Sequence, residues 1–218
     1  MTRHHDVLAE LVASLPRPVG HRVLVGIDGP DGSGKTTLAD ELAAMIRDCG
    51  RPLVRVSVDD FHNVRPLRYR RGRGSAEGFW LDSYDYARFI ADVLQPLSST
   101  GDGRYRSAAH DLDTDAVLDS PRAEAPAESL TIIDGLFLHR TELRHFWDFS
   151  IYLHVPPAIT AHRMALRDGT NPDPRHPTMR RYVDGHQLYE AACSPQEHAS
   201  VVIDNSTVGS PVILHLRR

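Results

Sequence analysis

Gly29-Pro30-Asp31-Gly32-Ser33-Gly34-Lys35-Thr36 decides how this chain is read. The octapeptide has the spacing G-x-x-x-x-G-K-[ST], and its flanks have matching periodicities. An apolar run, Val23-Leu24-Val25-Gly26-Ile27, precedes it, and Leu38, Leu42, Met45 and Ile46 recur at helical spacing after it. Strand, glycine loop and helix together turn the pattern into a prediction of a phosphate loop. Glycines let backbone N–H groups curl around phosphate oxygens, and the helix N-terminus adds partial positive charge. Gly29, Asp31, Gly32, Ser33, Gly34, Lys35, Thr36 and Thr37 then form a cradle for ATP. Lys35 reaches the β- and γ-phosphates, and the Thr36 hydroxyl ligates Mg²⁺.

An accidental match in a chain of this size is a matter of roughly one in a hundred. Composition makes accident rarer still. Of 25 Lys+Arg, 24 are Arg, so Lys35 is the only lysine. A chain that writes Arg everywhere else uses lysine at the one position that asks for a compact ammonium instead of a planar fork.

The length of 218 residues suits one α/β domain with a full core, and the net charge of −4 points to no general nucleic-acid or membrane surface. Two cysteines, Cys49 and Cys193, make no disulfide framework and fit a reducing cytosol. No stretch approaches the ~20 apolar residues of a membrane span. The expectation is a soluble cytoplasmic protein.

Outward from the loop, strands alternate with helices. Val7, Leu8, Leu11, Val12 and Leu15 predict a docking helix stopped at Pro16. The helix after the loop ends near Arg47, with Gly50 as its C-terminal stop. Residues 53–58 predict a second strand, and 65–74, rich in arginine and breakers, a loop. Ser83 is the expected cap of a helix with the apolar face Tyr86, Phe89, Ile90, Val93 and Leu94, closed at Pro96. Residues 104–118 predict a hairpin flap, and 120–129 a connecting loop. Strands are expected at 130–133, 149–153 and, last, 201–203. Pro157 opens a helix to about Arg167, and a lid region spans 163–181. Such alternation argues a three-layer fold of the phosphate-loop NTPase type, with a mostly parallel sheet.

Ligands of such sheets sit outside the carboxyl ends of the strands. Asp59-Asp60 and Asp134 stand there. A strand-end Asp such as Asp134 can serve Mg²⁺. Transfer to an alcohol needs a carboxylate that takes the hydroxyl proton, and either Asp59 or Asp60 offers one. Arg163 and Arg167, four apart, share a helix face and could offset charge on a transferred phosphoryl group. Tyr105 and His110 could address a base. The 65–74 segment has the interleaved arginine and tyrosine of an RNA contact, although a solvated loop explains it as well.

With these elements placed, the chain resembles the uridine kinase and phosphoribulokinase group of P-loop kinases. The resemblance is carried by residues 26–37, Val58-Asp59-Asp60-Phe61-His62, Tyr105 with His110, residues 133–137 and residues 163–168. It implies that Asp59 is the base on a nucleoside 5′-hydroxyl, that Tyr105 and His110 contact a pyrimidine, and that Arg167 and Arg163 hold the triphosphate. It assigns Asp134 to Mg²⁺. His62 stands where the group usually has tyrosine, on the substrate side. The acid that holds ribose hydroxyls falls on Asp82 or Asp85. The implied reaction is phosphorylation of uridine or cytidine by Mg·ATP, with a nucleoside as small-molecule partner, no membrane or nucleic acid, and room for a homo-oligomer. A kinase for a sugar, pantothenate or another alcohol is the nearest rival, and a regulatory nucleotide-binding protein or slow NTPase the more distant one.

Overall fold

The computed structural model describes residues 3–217. Five parallel strands form its centre: β1 (Val23–Asp28), β2 (Leu53–Ser57), β3 (Leu130–Asp134), β4 (Phe149–His154) and β5 (Val201–Asp204). A sixth, β6 (Val212–Leu216), pairs antiparallel with β5, giving the order β6-β5-β4-β1-β3-β2. The sequence reading ended the sheet at 201–203 and missed β6. Its His215 and Leu214 are exposed, so an edge strand of this kind carries little of the apolar signal used to find the others.

Strand alternation sorts the core into two faces. Val23, Val25 and Ile27 of β1 pack with α1 (Arg3–Ser14) and α2 (Lys35–Asp48), through Leu11, Leu42 and Ile46. Leu24 points to the opposite face, where Phe61, Phe89, Val93 and Tyr189 collect. Leu42 and Ile46 are fully buried, and each such side chain contributes about 1.5–3 kcal/mol of burial. Helices thus cover both sides, the three-layer α/β arrangement expected of the pattern. On the second face lie α3 (Ala76–Asp82), a helix α4 over 86–97, and α6 (Pro177–Cys193); α5 (Pro157–Asp168) follows β4.

The start and end of α4 differ from expectation. Its cap is Asp85, whose carboxylate accepts from Arg88 N–H at 3.0 Å, whereas the Ser83 hydroxyl donates to the Phe79 carbonyl. Pro96 does not close the helix. It follows a π-turn, Ile90–Leu94, and the helix continues through Gln95–Leu97. Proline cannot donate to the carbonyl four residues back, and the Asp92 carbonyl so released accepts Arg106 N–H at 2.9 Å. Segment 65–74 is also not wholly irregular, since Arg65–Arg68 makes one helical turn and Arg68 is buried.

The flap is larger than 104–118. Arg104–Tyr105 pairs with Ala123–Glu124, and His110–Asp111 pairs with Ala116–Val117. Two short ladders are therefore stacked in one long excursion, and part of the expected 120–129 connection belongs to it. The Asp92 carboxylate anchors its base through Arg88 at 3.2 Å, Arg122 at 3.2 Å and Arg106 at 3.7 Å.

Candidate active site

Parallel register brings the carboxyl ends of the strands to one rim. Asp134 stands level with Ile27 of β1 and Ser57 of β2. There the chain leaves β1 as the phosphate loop and enters α2 with Gly34 as the N-terminal cap. Gly32 and Gly34 hold left-handed backbone, φ +75° and +92°. A Cβ on Gly32 would meet the Thr160 carbonyl oxygen at 2.8 Å, and one on Gly34 the Asn205 amide at 2.8 Å. Only glycine meets both conditions. The Ser33 hydroxyl is buried inside the loop with no partner among the described residues. Lys35 Nζ donates to the Pro30 carbonyl at 2.8 Å, folding the ammonium over the loop.

Thr36, in the first turn of α2, donates its hydroxyl to Asp134 Oδ2 at 2.6 Å. The other Asp134 oxygen accepts from Arg55 Nη1 at 2.8 Å, and the carboxylate is almost wholly buried. A hydroxyl and a carboxylate side by side, next to an amide cradle with an orphaned serine, would suit a hard divalent cation beside phosphates. Gly29, Asp31, Gly32, Ser33, Gly34, Lys35, Thr36 and Thr37 all lie in this loop or at the start of α2.

A cavity of about 610 Å³ opens above the loop, lined by Lys35, Thr36, Asp134, Asp59, His62 and Arg167, among others. Asp59 and Asp60 sit in the tight turn Val58–Phe61 after β2, capped by Ser57. Only Asp59 faces the cavity. Its Oδ1 accepts from Tyr84 O–H at 2.7 Å, and no cation pairs with it among the described residues. Burial, reinforced by the Asp59 charge, pushes the Tyr84 phenol far above its usual range, so this oxygen remains a donor. Asp60 turns to a shallower surface beside His110. Burial raises its carboxyl above the ordinary value, and the charges of Asp59 and Asp134 add to the effect. His62 donates Nδ1–H to the Asp59 carbonyl at 2.7 Å and rests 4.4 Å from the Tyr84 ring. Burial lowers its pKa, which keeps the imidazole neutral near pH 7.

The two arginines of α5 part company. Arg167 lines the cavity, pairing with Asp168 at 2.7 Å and with Asp31 of the loop at 3.1 Å; hydrogen bonding to Asp168 and the Asp31 charge raise its pKa further. Arg163 instead donates to the Asn205 carbonyl at 2.8 Å, the Ser206 carbonyl at 3.0 Å and the Gly32 carbonyl at 3.4 Å. It lines a second cavity of about 530 Å³ on the far side of the loop, with Leu38, Leu153, Ile203, Val208 and Pro211. Being half-buried lowers the guanidinium pKa somewhat.

Three residues assigned to the acceptor lie elsewhere. Asp82 is buried and its carboxylate is held by Arg70 and, at 2.9 Å, by Arg71. His110 pairs with Asp115 at 3.1 Å in the inner ladder, and Tyr105 belongs to the outer one. None of the three lines the central cavity. The two open candidates for the ribose acid are both engaged, since Asp85 caps α4.

Sequence reasoning passed over a buried polar cluster beneath the loop. Asp28, the last residue of β1, accepts from Gly29 N–H at 2.7 Å, His139 Nδ1–H at 2.8 Å, His139 N–H at 3.0 Å and the Tyr189 hydroxyl. His139 Nε2 reaches Ser150 Oγ at 2.9 Å. Burial alone would raise the Asp28 pKa, but the hydrogen bond and charge of His139, with the Tyr189 hydrogen bond, bring it below the ordinary value. Asp28 therefore holds the first amide of the loop as a carboxylate. The signal was available: it is an apolar strand ending in Asp, as at Asp134.

Comparison with known proteins agrees with this architecture. The family model described as an AAA domain matches residues 25–188. The chain belongs to that AAA domain family. A structure described as a possible uridine kinase from Bacillus stearothermophilus superposes with TM-score 0.70 at 24% identity, covering 91% of this chain and 96% of that one. A protein provisionally assigned as a fructose transport system kinase, from Silicibacter, gives TM-score 0.68 at 26% identity over 88% of this chain and 96% of its own. Among curated proteins, the uncharacterized kinase mug58 of Schizosaccharomyces pombe is 37% identical over 57 residues. That match spans 26% of this chain and 21% of the relative's length. The resemblance to uridine kinase and phosphoribulokinase folds, read from the sequence, is returned by the structural comparison. No helix among the described residues is long and apolar enough to cross a membrane.

Proposed function

We propose that this chain is a kinase that transfers the terminal phosphoryl group of Mg·ATP to a hydroxyl of a small alcohol seated against Asp59. The observation that carries the reading is the Asp59 carboxylate, free of any cationic partner among the described residues, in the same cavity as Lys35, Thr36 and Asp134. The loop amides and Lys35 would bind the phosphates, and the apolar cavity beside Arg163 would take the base of the nucleotide. Thr36 and Asp134 would hold Mg²⁺, which, when bound, offsets the charge of the β- and γ-oxygens. Asp59 would take the hydroxyl proton as the acceptor oxygen bonds to phosphorus and the bond to departing ADP breaks. Tyr84 aims that carboxylate, and Arg167, carried on α5, faces the developing charge. Burial in the cavity supplies positioning, where most of the rate in this chemistry arises.

For the acceptor, the 5′-hydroxyl of uridine or cytidine is supported by the Asp59–His62 element and by likeness to a possible uridine kinase. A sugar or another small alcohol is supported by the fructose transport system kinase likeness, and by Tyr105, His110 and Asp82 lying outside the cavity. Coupled ADP release with Mg·ATP, run for wild type and Asp59→Asn against nucleosides, sugars and hydroxy acids, tests the reading. Stimulation by one class, lowered about 10²- to 10⁴-fold in Asp59→Asn, is the expected result. ATP hydrolysis indifferent to every alcohol and to Asp59→Asn would replace the kinase with a slow NTPase.

A further inference from the structure

The central cavity holds guanidinium groups that the phosphate loop and its lid do not employ. Lys35 belongs to the phosphate loop, Arg167 is matched by Asp168 and Asp31, and Asp134 is matched by Arg55. Two further guanidinium groups line the same cavity, Arg68 and Arg181. Arg68 is only 6% exposed, and its Nε is buried without a hydrogen-bond partner. Its one carboxylate neighbour, Asp115 at 3.5 Å, also serves His110 at 3.1 Å and the backbone N–H of Arg65 at 3.0 Å. Arg181 makes no ion pair and no hydrogen bond among the described residues, and its Nε is likewise buried and orphaned. Both lie over one ring: the Arg68 and Arg181 guanidinium carbons stand 5.1 and 5.4 Å from the centre of Tyr69.

Arg73 stands over the same ring at 4.9 Å, so three like charges crowd one aromatic ring and repel one another, and the ring face offsets only part of that. A buried donor left without a partner is costly, and more so when it is charged. The arrangement is resolved when an anion enters and takes both forks. A neutral nucleoside or free sugar would bring no charge to meet Arg181 or to supplement the shared Asp115 at Arg68.

Resting on the kinase reading above, we propose that the phosphoryl acceptor is an anionic alcohol, a hydroxy acid or a sugar phosphate. Its carboxylate or phosphate is bound by Arg68 and Arg181 while its hydroxyl meets Asp59. The residues around the anion end, Tyr69, Phe79 and Tyr182, supply ring faces and edges for a short carbon skeleton.

The test pairs each anion with its neutral twin in the ADP-release assay: glycerate with glycerol, pantothenate with pantothenol, ribulose 5-phosphate with ribulose, UMP with uridine. One anionic member is expected to exceed its twin in kcat/KM by about 10- to 100-fold, the range of one charge-assisted hydrogen bond. Which pair responds tells carboxylate from phosphate. Arg181→Gln, at a half-buried position, and Arg68→Lys, which keeps the charge and loses the fork, are each expected to raise KM for that acceptor by about 10-fold or more while KM for Mg·ATP stays in place. A neutral twin used equally well, or variants that move KM for Mg·ATP instead, would overturn the proposal. A second arm reads binding without turnover: protein saturated with a non-hydrolysable Mg·ATP analogue is titrated with inorganic phosphate by calorimetry. Binding in wild type that Arg181→Gln abolishes is expected, and no binding in wild type overturns the proposal. Should phosphate bind while no alcohol stimulates ADP release, the kinase reading fails and the anion site stands.

Discussion

Replacing Tyr189 by Phe would remove a single oxygen from the cluster that holds the first amide of the phosphate loop. The ring itself stays, packed edge-on to Phe137 with 5.1 Å between centroids. What is lost is the O–H donor to the ionised Asp28 carboxylate. The His139 N–H also loses an acceptor at 2.9 Å but keeps Asp28 Oδ2 at 3.0 Å, so no donor is orphaned. A hydrogen bond to a charged group contributes about 1.5–3 kcal/mol, and no water can replace it at a fully buried site, so about 2 kcal/mol should go. For a domain of this size that lowers Tm by about 4–8 °C. The dependence on pH follows from the lowered folded-state pKa of Asp28. Its contribution is complete above the unfolded value of 3.8 and is lost as pH falls through the folded value. Tyr189→Phe lets the folded pKa rise toward the unfolded one, so the gap between the two proteins is widest near neutrality and narrows below 3.8. Urea unfolding at neutral pH and at about pH 3 measures both quantities. A difference under about 0.5 kcal/mol at neutral pH, the size of an ordinary surface change, refutes the reasoning. So does a gap that widens in acid.

Other substitutions probe the rim. Gly32→Ala places a Cβ at φ +75° and 2.8 Å from the Thr160 carbonyl, so it should cost at least about 1–2 kcal/mol and weaken nucleotide binding in a fluorescence titration. Arg55→Met leaves the buried Asp134 carboxylate without its ion pair; unfolding in EDTA should show a loss of about 3 kcal/mol, partly restored by Mg·ATP. If Mg·ATP restores nothing, Asp134 does not meet the cation. Tyr84→Phe frees the Asp59 carboxylate from its only side-chain partner among the described residues, and kcat/KM should fall about 10-fold with the circular dichroism spectrum unchanged.

The parts of this molecule legible in the sequence are those whose signal is local. Glycine and lysine spacing at 29–36 sits between a strand and a helix that each show their own period, so β1, the loop and α2 could be placed together. Asp59 and Asp134 could be read because apolar strands run into them. What could not be read depends on partners far along the chain. Asp82 looks like a free acid until Arg70 and Arg71 fold back on it. Pro96 looks like a helix stop because the Arg106 N–H that satisfies the released Asp92 carbonyl lies in another element. Tyr105 and His110 look like one hairpin because ladders of two residues are too short to alternate. At Asp28 the strand-end signal is present, but the partners that make it a cluster lie up to 161 positions away, beyond any window of periodicity.

The solitary lysine also has a practical consequence. Lys35 carries the only side-chain amine in the chain, and it sits over the loop against the Pro30 carbonyl. Reagents that acylate amines have one side-chain target besides the α-amine, and on the proposed reading phosphates in the cradle would cover it. Intact mass after a brief pulse of an activated ester would therefore tell empty from loaded molecules by the one acyl group beyond that on the α-amine, with no fluorophore, radiolabel or mutation.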